Sequence, residues 1–171
     1  MKKILFVIAN QNFQDTEFQV PRSILEKAGF EIIIAAGQSG ECVGKFGLKV
    51  KASISLPEIT NLNDYIAVVF VGGGGAYEQY LNNPDYLRMA REAKLVAAIC
   101  IAPLLVSDAG VIQGKQFTVW NNNDNSQKNY IENNGGIYSA KAVVVDGNLI
   151  TANGPQAAEE FAQNIISYLK K

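Results

Sequence analysis

Three uninterrupted apolar runs constrain this chain most: Ile4–Ala9, Ile66–Val71 and Leu95–Ile99. A strand with one wet face alternates apolar and polar residues, so strands without alternation belong where both faces are covered. Helical patterns separate them. Val20, Ile24, Leu25 and Ala28 recur at helical spacing before a stop at Gly29, with Pro21 either kinking that helix or marking where its regular part begins. Helix signals also run from Ala76 to about Ala93 with a break at Asn82-Asn83-Pro84, from Pro103 to Ala109-Gly110, from Asp124 to Asn133, and from Ala157 to Leu169. Shorter strands are predicted at Phe30–Ala36, Leu48–Lys51 and Phe117–Trp120, with a hairpin of Ala142–Val145 and Leu149–Ala152 about Asp146-Gly147-Asn148. Gly37–Gly47, which holds Cys42, reads as loop, and Cys42 as incidental. This alternation predicts an α/β domain around a mostly parallel sheet, with residues 1–171 as a single unit.

Composition narrows the function classes. With 48% hydrophobic and 18% charged residues the chain is ordinary globular material, and its net charge of −1 invites no nucleic acid. No apolar run approaches the ~20 residues of a membrane span, so no membrane partner is expected. The start Met1-Lys2-Lys3 and its short apolar run lead into Asn10-Gln11-Asn12 rather than a cleavage region. Two cysteines make no disulfide framework, which suggests a reducing, cytoplasmic setting. The chain has no histidine. A Ser-His-Asp triad, a Cys-His dyad and a histidine metal site are therefore excluded within it, no metal is expected, and acid–base work falls to carboxylates, thiols, lysine or tyrosine.

The third apolar run ends on Cys100 and passes through Ile101-Ala102 to Pro103, a residue suited to a first helical turn. Ala98 and Ala102 flank the cysteine at two positions either side, the small-x-nucleophile-x-small pattern of a strand-to-helix nucleophile elbow. A thiol at a helix N-terminus is expected to lean toward thiolate, whereas the bland alternative is a buried core cysteine. In parallel sheets ligands sit beyond the C-terminal strand ends, and three segments fall there: the residues after Ala9, Gly72–Gly75, and Cys100. The glycines fail the dinucleotide fingerprint, because Tyr77 and Glu78 occupy its last position. Gly40–Lys45 and Gly110–Lys115 fail the P-loop spacing. Backbone N–H groups of Gly72 and Gly73 instead form half of a candidate oxyanion hole, completed by the N–H of Ile101. Glu17 lies on the same edge. An ionised Glu17 would repel a thiolate and a protonated one would donate to it, so the two are expected to share a proton.

Ala97-Ala98-Ile99-Cys100-Ile101-Ala102-Pro103, with Gly72-Gly73 and Glu17 upstream, resembles the ThiJ/PfpI superfamily. Asp15-Thr16-Glu17 through Pro21, Ala109-Gly110, and Asp146-Gly147-Asn148 through Gly154-Pro155 fall in the family's order, so the resemblance covers nearly the whole chain. It implies a flavodoxin-like three-layer sandwich that assembles as a homodimer or higher homo-oligomer. It also implies Cys100 as the reactive cysteine, Glu17 as its protonated partner, and Gly73 and Ile101 as backbone donors, with no cofactor. Members act on reactive carbonyls such as methylglyoxal, on glycated adducts, or on peptides; others protect against oxidants through a cysteine sulfinate. Two departures matter. Ile101 stands where the peptidase branch has histidine, and Trp120 where the deglycase branch has one. Glu78 matches the position of an assisting glutamate that lacks its histidine partner here. The resulting expectation is a Cys100–Glu17 site for a small carbonyl substrate, in the manner of a glyoxalase or deglycase. A redox sensor acted on by an oxidant is the alternative, and a peptidase stands third.

Overall fold

The apolar runs become the middle of a seven-stranded sheet. In the computed structural model, which describes residues 1–171, the chain runs β1 (Lys3–Val7), β2 (Gln11–Phe13), α1 (Asp15–Lys27), β3 (Glu31–Ala36), β4 (Gly40–Gly44), β5 (Lys49–Ala52) and β6 (Ile54–Ser55). It continues with β7 (Tyr65–Phe70), α2 (Gly74–Gln79), α3 (Pro84–Glu92), β8 (Val96–Ile99), α4 (Pro103–Asp108), β9 (Gln116–Phe117) and α5 (Ser126–Asn133). β10 (Ile137–Tyr138), β11 (Val143–Asp146), β12 (Leu149–Ala152) and α6 (Ala158–Leu169) complete it. The main sheet has the order β11-β12-β8-β7-β1-β3-β6, parallel throughout except for the β11–β12 hairpin. Helices flank it, α1 packed on α6 and α3 on α4, in the three-layer, flavodoxin-like arrangement. Residues Ile4–Ala9, Val68–Val71 and Leu95–Ile99 are all buried, which accounts for their unbroken hydrophobicity.

Local patterns mislead in three places. α1 starts at Asp15 and passes through Pro21 without interruption. Its inward face is Glu17, Phe18, Pro21 and Leu25, whereas Val20, Ile24 and Ala28 are only half-buried. Phe18 sets that rotation by packing edge-on against Phe6 and tilted on Phe13, and the rotation carries the Glu17 carboxyl into the interior. Gly37–Gly47 is not all loop either. β2, β4 and β5 form a separate three-stranded sheet, in which Cys42 is a fully buried inward residue rather than a loop thiol. Short strands framed by glycines carry little local signal; pairing to distant partners makes them strands. The strand expected over Phe117–Trp120 shrinks to Gln116–Phe117 for want of a longer partner.

Candidate active site

Cys100 follows β8 directly and takes the left-handed conformation, φ 64°. That region is costly for a residue with a Cβ, and the surroundings enforce it. Its N–H donates to the carbonyl of Ala152 at 2.8 Å, and its own carbonyl accepts the N–H of Trp120 at 2.9 Å. Buried Ala98 and Ala102 leave room for the sharp turn, and Pro103 opens α4. The result is a nucleophile elbow in which Cys100 is 7% exposed.

Glu17 is wholly inaccessible. It occupies the first turn of α1, where its N–H is capped by the side-chain oxygen of Gln14 at 3.0 Å. One carboxyl oxygen, Oε2, accepts the N–H of Gly72 at 3.0 Å. The other, Oε1, has no hydrogen-bond partner, and the Cys100 thiol is the side chain near enough to this carboxyl to affect its acidity. Burial pushes the Glu17 carboxyl up to about 7, a rise that the contacts with Cys100 and Gly72 limit. Burial also raises the Cys100 thiol, Glu17 adds to that rise, and the N–H groups of Gly73 and Ile101 oppose it. The expected drift toward thiolate from a helix N-terminus is thus overturned: desolvation and the carboxyl outweigh the start of a six-residue helix. An ionised Glu17 disfavours a thiolate beside it, so the two ionisations are coupled.

The glycines divide their labour. The Gly72 N–H is occupied by Glu17, which removes it as an oxyanion donor, while the N–H groups of Gly73 and Ile101 address the sulfur. A Cβ on Gly72 would lie 2.6 Å from Glu17 Oε2 and 2.7 Å from the Cys100 Cβ, so only glycine lets carboxyl and elbow meet.

A cavity of about 240 Å³ opens above Cys100 and Glu17, walled by Gln14, Lys45, Tyr77, Ile101 and Trp120. It falls below the roughly 300–1,000 Å³ of pockets for drug-sized ligands, so it suits a small molecule. Trp120 therefore belongs to the wall, whereas Glu78 lines a different cavity with Asn10 and Gln38 and does not join Cys100. α2 is short, and the two residues flank one another on it facing apart: Tyr77 to the site, Glu78 away. Sequence reasoning missed Gln14, Lys45 and Tyr77. Gln14 had a signal, since a capping residue stands three places before Glu17. Lys45 had none, because the β2-β4-β5 sheet brings it there.

Residues 2–168 match the DJ-1/PfpI family. The chain belongs to that family. This DJ-1/PfpI chain is 34% identical to an uncharacterised protein of Methanocaldococcus jannaschii, over 99% of this chain and 83% of that one. It is 32% identical to the Deglycase PfpI of Pyrococcus furiosus, over 98% and 99% of the two chains. Among solved structures, a ThiJ/PfpI domain protein from Brachyspira murdochii superposes with a TM-score of 0.90 at 26% identity, covering 99% and 97%. Drosophila melanogaster DJ-1beta superposes with a TM-score of 0.85 at 30% identity, covering 99% and 91%. In this DJ-1/PfpI chain, which has no histidine, burial pushes the Glu17 carboxyl of the cavity up to about 7.

Proposed function

We propose that this protein is a cysteine-dependent stress-protection enzyme that acts on small reactive carbonyl compounds, in the manner of a deglycase or cofactor-independent glyoxalase. The observation that carries the reading is the meeting of buried Glu17 with Cys100 at the floor of a small open cavity, whose largely apolar walls carry the polar groups of Gln14, Lys45 and Tyr77. The relative named Deglycase PfpI supports the same reaction class.

The chemistry follows from the geometry. The Cys100 sulfur attacks the aldehyde carbon of an α-oxoaldehyde; a C–S bond forms, and the carbonyl pair moves onto oxygen, where the N–H groups of Gly73 and Ile101 receive it. Glu17 delivers its proton to that oxygen, giving a hemithioacetal. Now ionised, it takes the C–H proton of the same carbon and returns it to the neighbouring carbon, while the hydroxyl proton of the first carbon passes to the neighbouring oxygen, leaving a thioester and a hydroxyl. Water cleaves the thioester to a hydroxy acid and restores the thiol. One carbon is oxidised, its neighbour is reduced, and no cofactor is needed. Ile101 has no titratable group to protonate a leaving amine, which disfavours peptide hydrolysis.

Conversion of methylglyoxal to lactate without cofactor tests the reading, with loss of turnover expected in Cys100→Ser and in Glu17→Gln. A wild-type protein that does not turn over methylglyoxal would sink it. If mild peroxide then adds oxygen at Cys100 before Cys42 in mass mapping, the redox-sensor reading takes its place.

A further inference from the structure

We propose that the cavity above Cys100 takes substrates bearing a carboxylate near the reacting carbonyl, with Lys45 as the residue that recognises it. The inference rests on the reactive-thiol reading above and adds the substrate class. Lys45 is the one basic side chain lining this cavity, and the one acidic side chain there is Glu17, buried beside Cys100. None of the ion pairs in the structure, Arg22–Glu26, Lys49–Glu41, Arg88–Glu92 and Lys128–Glu132, involves Lys45. Its ammonium rests 5.4 Å from the Phe46 ring centre, a contact that leaves its N–H donors without an acceptor.

The backbone beneath Lys45 is held firmly for a surface turn. The Lys45 N–H donates to the carbonyl of Phe13 at 2.8 Å, beside Gln14. Buried Asp15 accepts the N–H of Phe46 at 3.0 Å and of Leu48 at 2.9 Å, tying the turn to the start of α1. Gly44 permits this approach, because a Cβ there would lie 2.6 Å from the Asp15 carboxyl. Gln14 adds a second donor. Its side-chain oxygen is committed to the Glu17 N–H, so its orientation is set, and its NH2 group has no partner in the protein. The lining therefore offers the sulfur and two backbone N–H groups for a carbonyl, and Gln14 and Lys45, whose exposed side chain can swing from the Phe46 ring, for an anion. With a net charge of −1, the chain as a whole supplies no attraction for anions, so any preference must be local.

Alkylation of Cys100 isolates this preference from catalysis. Iodoacetate and iodoacetamide are similar in size and differ in charge. With either, the thiolate attacks the CH2 carbon, a C–S bond forms, and iodide leaves. The ratio of the two rates cancels the thiolate fraction, so a change in Cys100 acidity alone does not move it. Rates are read at Cys100 by peptide mass mapping and compared with a free thiol in the same buffer. The wild type is expected to favour iodoacetate relative to the free thiol. Lys45→Met is expected to lower that preference about fivefold at low salt, the scale of one partly exposed charge, while Lys45→Arg retains it and high salt erases it. An equal ratio in the wild type and Lys45→Met overturns the inference, whether or not methylglyoxal is turned over. If methylglyoxal is not turned over but the charge preference holds, the carbonyl reaction fails and the anion site stands. In a protein that turns over, a carboxylate-bearing α-oxoaldehyde should lose more kcat/KM than methylglyoxal on Lys45→Met; equal losses count against the assignment.

Discussion

Glu17→Gln should make the protein more stable at alkaline pH while abolishing its chemistry. Burial moves this carboxyl from its ordinary 4.5 to about 7 in the folded state. Across that window the folded protein keeps a proton that the unfolded chain has released, so stability falls as pH rises and stays lowered above about 7. At about 1.4 kcal/mol for each tenfold change in proton affinity, the full cost of the ionised carboxyl is about 3 kcal/mol. Glutamine never ionises. Its oxygen can still accept the Gly72 N–H, and its NH2 lands where Oε1 already lacks an oxygen or nitrogen partner. The neutral forms should therefore be of similar stability, within about 1 kcal/mol. Urea and thermal melts of both proteins at about pH 5 and about pH 8.5 give the comparison, in which the contributions of other titrating groups largely cancel. Near-coincident curves are expected at the lower pH. At the higher pH the variant should gain about 2–3 kcal/mol, or about 2–4 °C in Tm for each kcal/mol in a domain of this size. A gap that does not change with pH, or a variant less stable than wild type at pH ~8.5, would refute the assignment of a buried, proton-holding carboxyl.

Two further substitutions probe the elbow. Gly72→Ala inserts a methyl within 2.6–2.8 Å of Glu17 Oε2, the Cys100 Cβ and the Ile99 carbonyl, none of which can retreat cheaply. It should cost about 1–3 kcal/mol in denaturant melts, and wild-type stability would mean that the packing is looser than described. Cys100→Gly should be at least as stable as Cys100→Ala, because alanine retains the left-handed strain at φ 64° and glycine does not. Melts that rank alanine clearly above glycine would show that the elbow is not strained.

The parallel sheet and the position of the thiol were legible because both rest on local pattern. Unbroken apolar runs at Ile4–Ala9, Ile66–Val71 and Leu95–Ile99 specify strands covered on both faces, and small residues around Cys100 specify a sharp turn. The absence of histidine also acts without any fold, since it removes a chemistry outright. The rotation of α1 was not legible: Pro21 and the Val20–Ala28 spacing pointed to another face, and contacts of Phe18 with Phe6 and Phe13 decided it. The resemblance implied Gly73 and Ile101 as the backbone donors, but the reason that Gly72 drops out, its N–H taken by Glu17, lies in the structure alone. Which N–H is occupied and which is free is an account of hydrogen bonds that closes only when every partner is in place. For the same reason, Glu78 leaves the site while Lys45 enters it on a turn secured by Asp15. By itself, then, the sequence determined a thiol at the edge of a parallel sheet in a chain without histidine. The tertiary structure decided that Glu17 is buried beside Cys100 and that Lys45 joins the cavity lining, because only the meeting of distant segments sets those positions.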